Sequence, residues 1–143
     1  IFLKLSNLGF KKLNFFLHRD KIINESLLKY KSKKIEALKK QFGKLRYGNI
    51  ILFCAGKTSV IASKILTNMG AKITIIIDNN NKFYGKKLDN IMIKNPSYLK
   101  KNLGKFSNHK ILICIKYIDL ANIIKLQLNK IGIKNKNIYH FNM

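Results

Sequence analysis

The sequence predicts an α/β domain built on a parallel sheet and preceded by a basic helical leader. Two observations predict this fold class: short apolar runs rich in β-branched residues recur between residues 49 and 141, and apolar residues at helical spacing separate them. Such alternation is typical of βαβ units, whose right-handed crossover helices cover both faces of a sheet. We therefore expect residues 48–143 to form a three-layer domain and residues 1–47 to form the leader.

The first three predicted elements form one βαβ unit. Residues 49–54 are almost continuously apolar, as is expected of a parallel strand that is covered on both faces. The next segment has its apolar residues on one helical face and ends at Gly70, a residue type that commonly follows a helix. Residues 72–78 are β-branched almost throughout and predict the second strand.

A polar segment and a short edge strand come next. Residues 79–90 are rich in Asn, Lys and Gly and predict a loop, and residues 91–93 predict the short strand. Asn95 followed by Pro96 is typical of a helix start, because Asn caps the helix and Pro suits its first position.

The last predicted elements complete the sheet. Residues 111–115 form another apolar run, a helix-spaced pattern follows it and ends at Gly132, and residues 137–141 predict the final strand. With the five predicted strands numbered along the chain, we expect the strand order 3-2-1-4-5. In such an order the first strand lies at the centre of the sheet, and ligands bind beside it.

The leader is predicted from apolar residues at helical spacing among lysines, over residues 1–17 and again over residues 25–42. No apolar run approaches the roughly 18 residues of a membrane-spanning helix, and no cleavable signal peptide is visible. We expect a cytoplasmic protein, with contact at the inner face of the membrane left open. Because residue 1 is Ile rather than Met, we expect a fragment or a processed chain.

The charge is large but not specific. The chain has 29 Lys and Arg against 6 Asp and Glu, a formal net charge of +23, and 27 of its basic residues are Lys. A surface selected to bind phosphates usually also contains Arg, whose planar fork pairs with oxyanions at two points. We attribute the Lys excess to A- and T-rich codons, because Ile and Asn are also frequent, and nucleic acid is not the predicted partner. Cys54 and Cys114 lie in apolar runs and predict buried thiols in a reducing compartment.

The turn after the first strand resembles a dinucleotide-binding turn, in which glycines let the chain bend and let a phosphate rest on a helix N-terminus. Aligned on that motif, Cys54, Gly56 and Ser59 occupy the three glycine positions. Asp78 ends the second strand, 22 residues after Gly56, where an acid accepts ribose hydroxyls. A simpler interpretation is also open: Asp78 caps the turn after its strand, and Thr58 or Ser59 caps the helix.

Four segments together resemble a known family. They are Ile-Leu-Phe-Cys-Ala-Gly-Lys, Ile-Ile-Ile-Asp-Asn-Asn, Tyr-Gly-Lys-Lys-Leu-Asp-Asn-Ile-Met-Ile and Ile-Gly-Ile-Lys-Asn-Lys-Asn-Ile-Tyr-His-Phe. In this order they are similar to a small Rossmann-like domain found beside glycosyltransferases and methyltransferases in bacterial surface-polysaccharide clusters. That domain is related to the N-terminal domains of sugar acyltransferases and nucleotide-sugar dehydratases, and the resemblance covers residues 49–141.

The resemblance implies a site for a nucleotide or a nucleotide-sugar. It places Gly56 under a phosphate, Asp78 beside a ribose, and Gly85 in a loop that closes over the ligand. The chain departs from the family pattern at Cys54, Ser59, Asn90 and Met92. A Cβ at the tight turn narrows the approach of a pyrophosphate, so the first of these departures bears most directly on binding.

We therefore predict an accessory module that binds NAD(P) or a nucleotide-sugar and works with an enzyme of surface glycan synthesis. Six acidic residues supply no paired carboxylates, so we expect no independent catalysis, no catalytic residue and no metal ligand. The predicted binding residues are Gly56, Lys57, Thr58, Ser59, Asp78 and Gly85, and nearby positive charge comes from Lys82, Lys86 and Lys87. Two alternatives stay open: a basic adaptor for anionic membrane or nucleic acid, and a docking module for a partner enzyme.

Overall fold

The structure is a computed structural model that describes Lys40, Gly43 and residues 48–141. The described sheet belongs to a compact unit, Gln41–Met143. The two predicted leader helices lie outside the described residues, apart from Lys40, so the predicted domain boundary after residue 47 stays a prediction.

Strands and helices alternate along the described chain. In order, the elements are β1 (Asn49–Phe53), α1 (Lys57–Asn68), β2 (Lys72–Ile77), β3 (Lys87–Leu88), β4 (Ile91–Lys94), α2 (Pro96–Lys101), α3 (Leu103–Phe106), β5 (Lys110–Cys114), α4 (Ile118–Ile131) and β6 (Ile138–Phe141). Short 3-10 helices cover Asn81–Phe83 and Asn135–Asn137. None of the helices in this part of the chain is long and apolar enough to cross a membrane.

The six strands form one sheet in the order β3-β4-β2-β1-β5-β6. Pairing is parallel between β1 and β2, β1 and β5, β2 and β4, and β5 and β6, whereas β3 is antiparallel to β4. The prediction of a purely parallel sheet in the order 3-2-1-4-5 is wrong in this respect. The observed order differs because a sixth, antiparallel strand lies at the edge beside β4.

A two-residue turn produces that additional strand. Asp89 and Asn90 have φ angles of +51° and +62°, and the register pairs Leu88 with Ile91 across them. Two consecutive left-handed residues form the type I′ turn that joins antiparallel strands, and Asp and Asn tolerate this conformation better than most residues. The predicted loop over residues 79–90 therefore ends in a hairpin, which its polar composition did not reveal.

The predicted start of one helix and the predicted end of another are confirmed. Asn95 Oδ1 accepts a hydrogen bond from the Ser97 N–H at 2.9 Å, and Pro96 is the first residue of α2. Gly132 follows α4 with a φ of +115°, the left-handed conformation in which glycine commonly ends a helix. Both signals are local, and the chain uses both at the predicted positions.

The main core lies on one face of the sheet, where alternate residues of β1, β2 and β5 pack against the helices α2, α3 and α4. Ile133, which follows the Gly132 cap of α4, also belongs to this core. The buried members of this cluster are Ile51, Phe53, Ile75, Ile77, Leu99, Phe106, Ile111, Ile113, Ala121, Ile124, Leu128 and Ile133. Because side chains alternate along a strand, the intervening residues Ile50, Leu52, Ile76 and Leu112 face the other side and are also buried. On that side α1 contacts β1, β2 and β5 and buries Val60, Ile61 and Leu66. The predicted three-layer arrangement is thus observed.

Candidate functional site

The carboxyl ends of β1, β2 and β5 lie at one edge of the sheet, because these strands are parallel. Three segments leave the sheet at this edge: residues 54–56, the segment that begins at Asp78, and residues 115–117. From β1 the chain passes to β2 on one side, whereas β5 lies on the other side of β1. In open α/β sheets, ligands bind in the crevice where the strand order changes direction in this way.

The turn after β1 keeps a glycine-like backbone although its first position is occupied by Cys. Cys54 has a φ of +84°, and its N–H donates to the carbonyl oxygen of Ile77 at 2.7 Å. A residue with a Cβ pays about 1–2 kcal/mol for this left-handed conformation. Cys54 therefore adopts a backbone conformation that favours glycine, at the position where the sequence lacks the first glycine of the motif.

Ser59 stabilises the turn from within. The Gly56 N–H donates to Ser59 Oγ at 3.0 Å, and the Ser59 hydroxyl donates to the carbonyl oxygen of Gly56 at 2.7 Å. Ser59 is fully buried, whereas Gly56 is exposed, so both bonds are partly buried. The Ser59 hydroxyl thus bonds to the residue that precedes α1, in keeping with the simpler interpretation of Ser59 as a capping residue, and it stabilises the shape of the turn.

The first turn of α1 presents hydrogen-bond donors at the sheet edge. Gly56 precedes the helix in an extended conformation, and Lys57 and Thr58 are its first two residues. The first amides of an α-helix have no acceptor within the helix and lie at the positive end of its dipole, so they bind anions well. Gly56 and Lys57 are exposed and Thr58 is half-buried, which leaves this end of the 12-residue helix accessible.

Asp78 joins the end of β2 to the turn after β1. Its Oδ2 accepts a hydrogen bond from the Ala55 N–H at 2.6 Å, and its Oδ1 accepts one from the Asn80 N–H at 2.7 Å. An ionised carboxylate has about four acceptor positions, so two remain for a ligand hydroxyl. The bond from Asn80 closes a local turn after β2, as the simpler interpretation of Asp78 predicts. The bond from Ala55 joins residues 23 positions apart and connects the predicted ribose-binding acid to the predicted phosphate-binding turn.

Gly85 is not brought to that turn. It has a φ of +78°, and its N–H donates to the carbonyl oxygen of Ile93 at 3.1 Å, beside the β3–β4 hairpin. Two strands, β4 and β2, separate this position from β1. The lysines of the same segment, Lys82, Lys86 and Lys87, are exposed. Of the six predicted residues, five thus lie at or beside the β1–α1 turn, and the role predicted for Gly85 stays a prediction.

The two thiols are protonated at neutral pH. Burial, and then the negative charge of Asp78, raises the pKa of Cys54 to about 12. Burial, and then the neighbouring Cys54, raises the pKa of Cys114 well above that of a free thiol. A protonated thiol is a poor nucleophile and a poor metal ligand. In the chain as described, no group of three or more His, Cys, Asp or Glu side chains lies close enough together to hold a metal ion.

The structure adds residues that the sequence analysis did not consider. Lys116 and Tyr117 follow β5 at the same edge as Asp78, with the Lys116 ammonium 5.9 Å from the centre of the exposed Tyr117 ring. His140 of β6 donates from Nε2 to the carbonyl oxygen of Ile115 at 2.7 Å and holds the start of this segment in place. Lys116 and Tyr117 come directly after an apolar run, as Asp78 does, and this position was the signal in the sequence that could have placed them at the sheet edge.

No family model matches the chain, and no curated protein matches it. Solved structures do match. UDP-D-quinovosamine 4-dehydrogenase from Vibrio fischeri aligns with a TM-score of 0.54 at 18% identity, over 67% of this chain and 80% of that chain. The chain has a Rossmann-like fold.

A second similar structure is RSP, a Rex-family repressor, which aligns with a TM-score of 0.51 at 16% identity over 76% of this chain. The complex of RSP with NAD⁺ and operator DNA aligns with the same TM-score at 17% identity. This chain spans 58% of the length of the repressor. At these identities the likeness is one of fold.

Proposed function

We propose that this chain is an accessory nucleotide-binding module whose ligand is NAD(P) or a nucleotide-sugar. The observation that carries the proposal is the 2.6 Å hydrogen bond between the Asp78 carboxylate and the Ala55 amide. It holds an acid suited to ribose hydroxyls against a turn whose first helical amides suit a phosphate. A phosphate would contact Lys57 and Thr58 near Gly56, and a ribose would contact Asp78.

The similar structures support the ligand class. RSP was solved in complex with NADH and with NAD⁺, and the Vibrio fischeri protein is named for a reaction on a UDP-sugar. Both kinds of ligand contain a pyrophosphate joined to ribose, which is the chemistry that a helix N-terminus and a nearby acid recognise. Because Cys54 replaces the first glycine of the motif, we expect this turn to bind the pyrophosphate more weakly than a turn with all three glycines does.

The accessory role and the proposed link to surface glycan synthesis rest on the family resemblance and on the chemistry of the site. The thiols near the turn are protonated, and Asp78 already accepts two backbone hydrogen bonds, so the site offers a surface for binding rather than a base or nucleophile. A partner enzyme of bacterial surface glycan synthesis in the cytoplasm would supply the catalysis. Co-purification of the chain with such an enzyme, measured with and without added nucleotide, tests the partnership separately from ligand binding.

The direct test uses Gly56→Ala. An added Cβ at this position meets no atom within 4 Å, and the φ of −160° is open to any residue. The free energy of unfolding should therefore change by less than about 1 kcal/mol. If a phosphate lies against the turn, the added methyl group should lower affinity at least about tenfold. Calorimetry or saturation-transfer NMR with NAD, NADH, NADP, CoA and several nucleotide-sugars measures the affinity.

The matched control is Gly104→Ala, because a Cβ there also meets no atom within 4 Å but lies on α3. This variant should bind the ligand as the unchanged chain does. Absence of binding to every one of these compounds at millimolar concentration would overturn the proposed function. Equal loss of affinity in Gly104→Ala and Gly56→Ala would overturn the proposed place of the phosphate.

A further inference from the structure

Helix α4 has a second apolar face that is open to solvent. One face packs on the sheet through Ala121, Ile124 and Leu128. In the part of the chain that the structure describes, the exposed large apolar side chains cluster on this helix and at its start. They are Tyr117, Ile118, Leu120, Ile123 and Leu126. Ile123 is 60% exposed and Leu126 is 62% exposed, and they lie about one helical turn apart.

These two residues line a groove between α2 and α4 with a volume of about 500 Å³. We call it the α2–α4 groove. Its apolar lining residues are Pro96, Ile123, Leu126 and Ile131. Its charged lining residues are Lys100 and Lys130, one from each helix. A groove lined by apolar side chains and by lysines from both helices suits one face of an amphipathic helix.

We infer that the α2–α4 groove docks an acidic amphipathic helix of a partner protein. Its apolar side chains would enter the groove beside Ile123 and Leu126, and its flanking Asp or Glu residues would pair with Lys100 and Lys130. Charge selects this occupant, because both charged side chains that line the groove, Lys100 and Lys130, are basic. A basic surface of this kind steers acidic partners and repels basic ones.

The same charge disfavours a second copy of this chain as the occupant. A second copy would bring Lys100 and Lys130 of both molecules to one interface, where like charges repel. The concave shape disfavours a membrane surface, because interfacial helices insert a protruding apolar face into lipid.

The test measures binding of designed peptides to the full chain by fluorescence anisotropy. The first peptide is a labelled helix of about 18 residues with Leu at positions i, i+3, i+4 and i+7 and Glu at the flanking positions; the second has Lys in place of each Glu. The Glu peptide should bind at least about tenfold more tightly than the Lys peptide. Reversing the groove charge with Lys100→Glu and Lys130→Glu together should reduce that preference to about twofold or less, because it replaces the local attraction at the groove by repulsion.

Ile123→Gln should weaken binding of the Glu peptide about tenfold, because it replaces an exposed apolar side chain that lines the groove. Its matched control is Ile118→Gln, since Ile118 is also 60% exposed but does not line the groove. Lys64→Glu on α1 is the control for charge reversal, because α1 packs on the sheet apart from this groove. Both controls should bind the Glu peptide within about twofold of the unchanged chain.

Four results would overturn the inference. The first is no binding of the Glu peptide, and the second is equal binding of the two peptides. The third is a dimer, detected by sedimentation, that Ile123→Gln dissociates; the fourth is binding to phosphatidylglycerol vesicles that depends on Ile123 while the Glu peptide does not bind. None of these results depends on whether a nucleotide binds at Gly56.

Discussion

Replacing Asp78 by Ala tests whether its carboxylate stabilises the site as well as recognising a ligand. The change removes two hydrogen bonds to an ionised acceptor, at 2.6 Å from the Ala55 N–H and 2.7 Å from the Asn80 N–H. Ala55 is half-buried, so its amide loses a partner that water replaces poorly, whereas Asn80 is exposed and its amide bonds to water instead. We expect the free energy of unfolding to fall by about 2–3 kcal/mol, mostly through Ala55.

Urea denaturation followed by far-ultraviolet circular dichroism measures this change, and the melting temperature should fall by roughly 10–20 °C. Asp119→Ala is the matched control. It removes the same charge from an exposed position in the first turn of α4, where we expect a loss of only about 0.5 kcal/mol. Asp78→Asn retains one acceptor oxygen, so its stability should lie between those of Asp78→Ala and the unchanged chain.

The stability argument is refuted if Asp78→Ala destabilises the chain no more than Asp119→Ala does. The ligand argument is tested separately with Asp78→Asn, which should keep the turn folded but lower nucleotide affinity about tenfold or more. Unchanged affinity in a folded Asp78→Asn variant would mean that the carboxylate serves only to connect β2 with the β1–α1 turn.

Three further predictions follow from the backbone and from the half-buried thiol of Cys54. Because burial raises the pKa of Cys54 to about 12, the folded chain keeps this proton at a pH where the unfolded chain releases it. The free energy of unfolding should therefore fall as pH rises from about 9 towards 12, and denaturation curves of Cys54→Ala over this range should decline less steeply. Gly132→Ala should cost about 1–2 kcal/mol, since Gly132 has a φ of +115° and its added Cβ would lie 3.3 Å from Leu103 Cδ1. Gly104→Ala should instead leave stability unchanged or raise it by up to about 1 kcal/mol, and a similar loss in both variants would contradict the backbone argument. Asn90→Gly should raise the free energy of unfolding by about 0.5 kcal/mol, because Asp-Gly suits a type I′ turn; a clear loss of stability would contradict this assignment of the hairpin.

The sequence alone predicted most elements of the described domain, although not the short strand β3. Apolar runs, helical spacing and the signals at Asn95, Pro96 and Gly132 predict where helices and strands begin and end, and the structure agrees to within one or two residues. These features depend on local chemistry, which neighbouring residues express directly. The position of Asp78 and Gly56 at one sheet edge was predictable for the same reason, because parallel strands end together.

Only the tertiary structure decided how these residues are used. The Asp78–Ala55 hydrogen bond joins positions 23 residues apart, and the burial of Ser59 depends on how α1 packs against the sheet. Gly85 lies beyond β4 because an Asp-Asn turn adds an antiparallel strand, and Ile123 and Leu126 line a groove because α2 lies beside α4. Composition and periodicity determine which segments become helices or strands, whereas side-chain contacts arise from pairing and packing between distant segments, which no local pattern specifies.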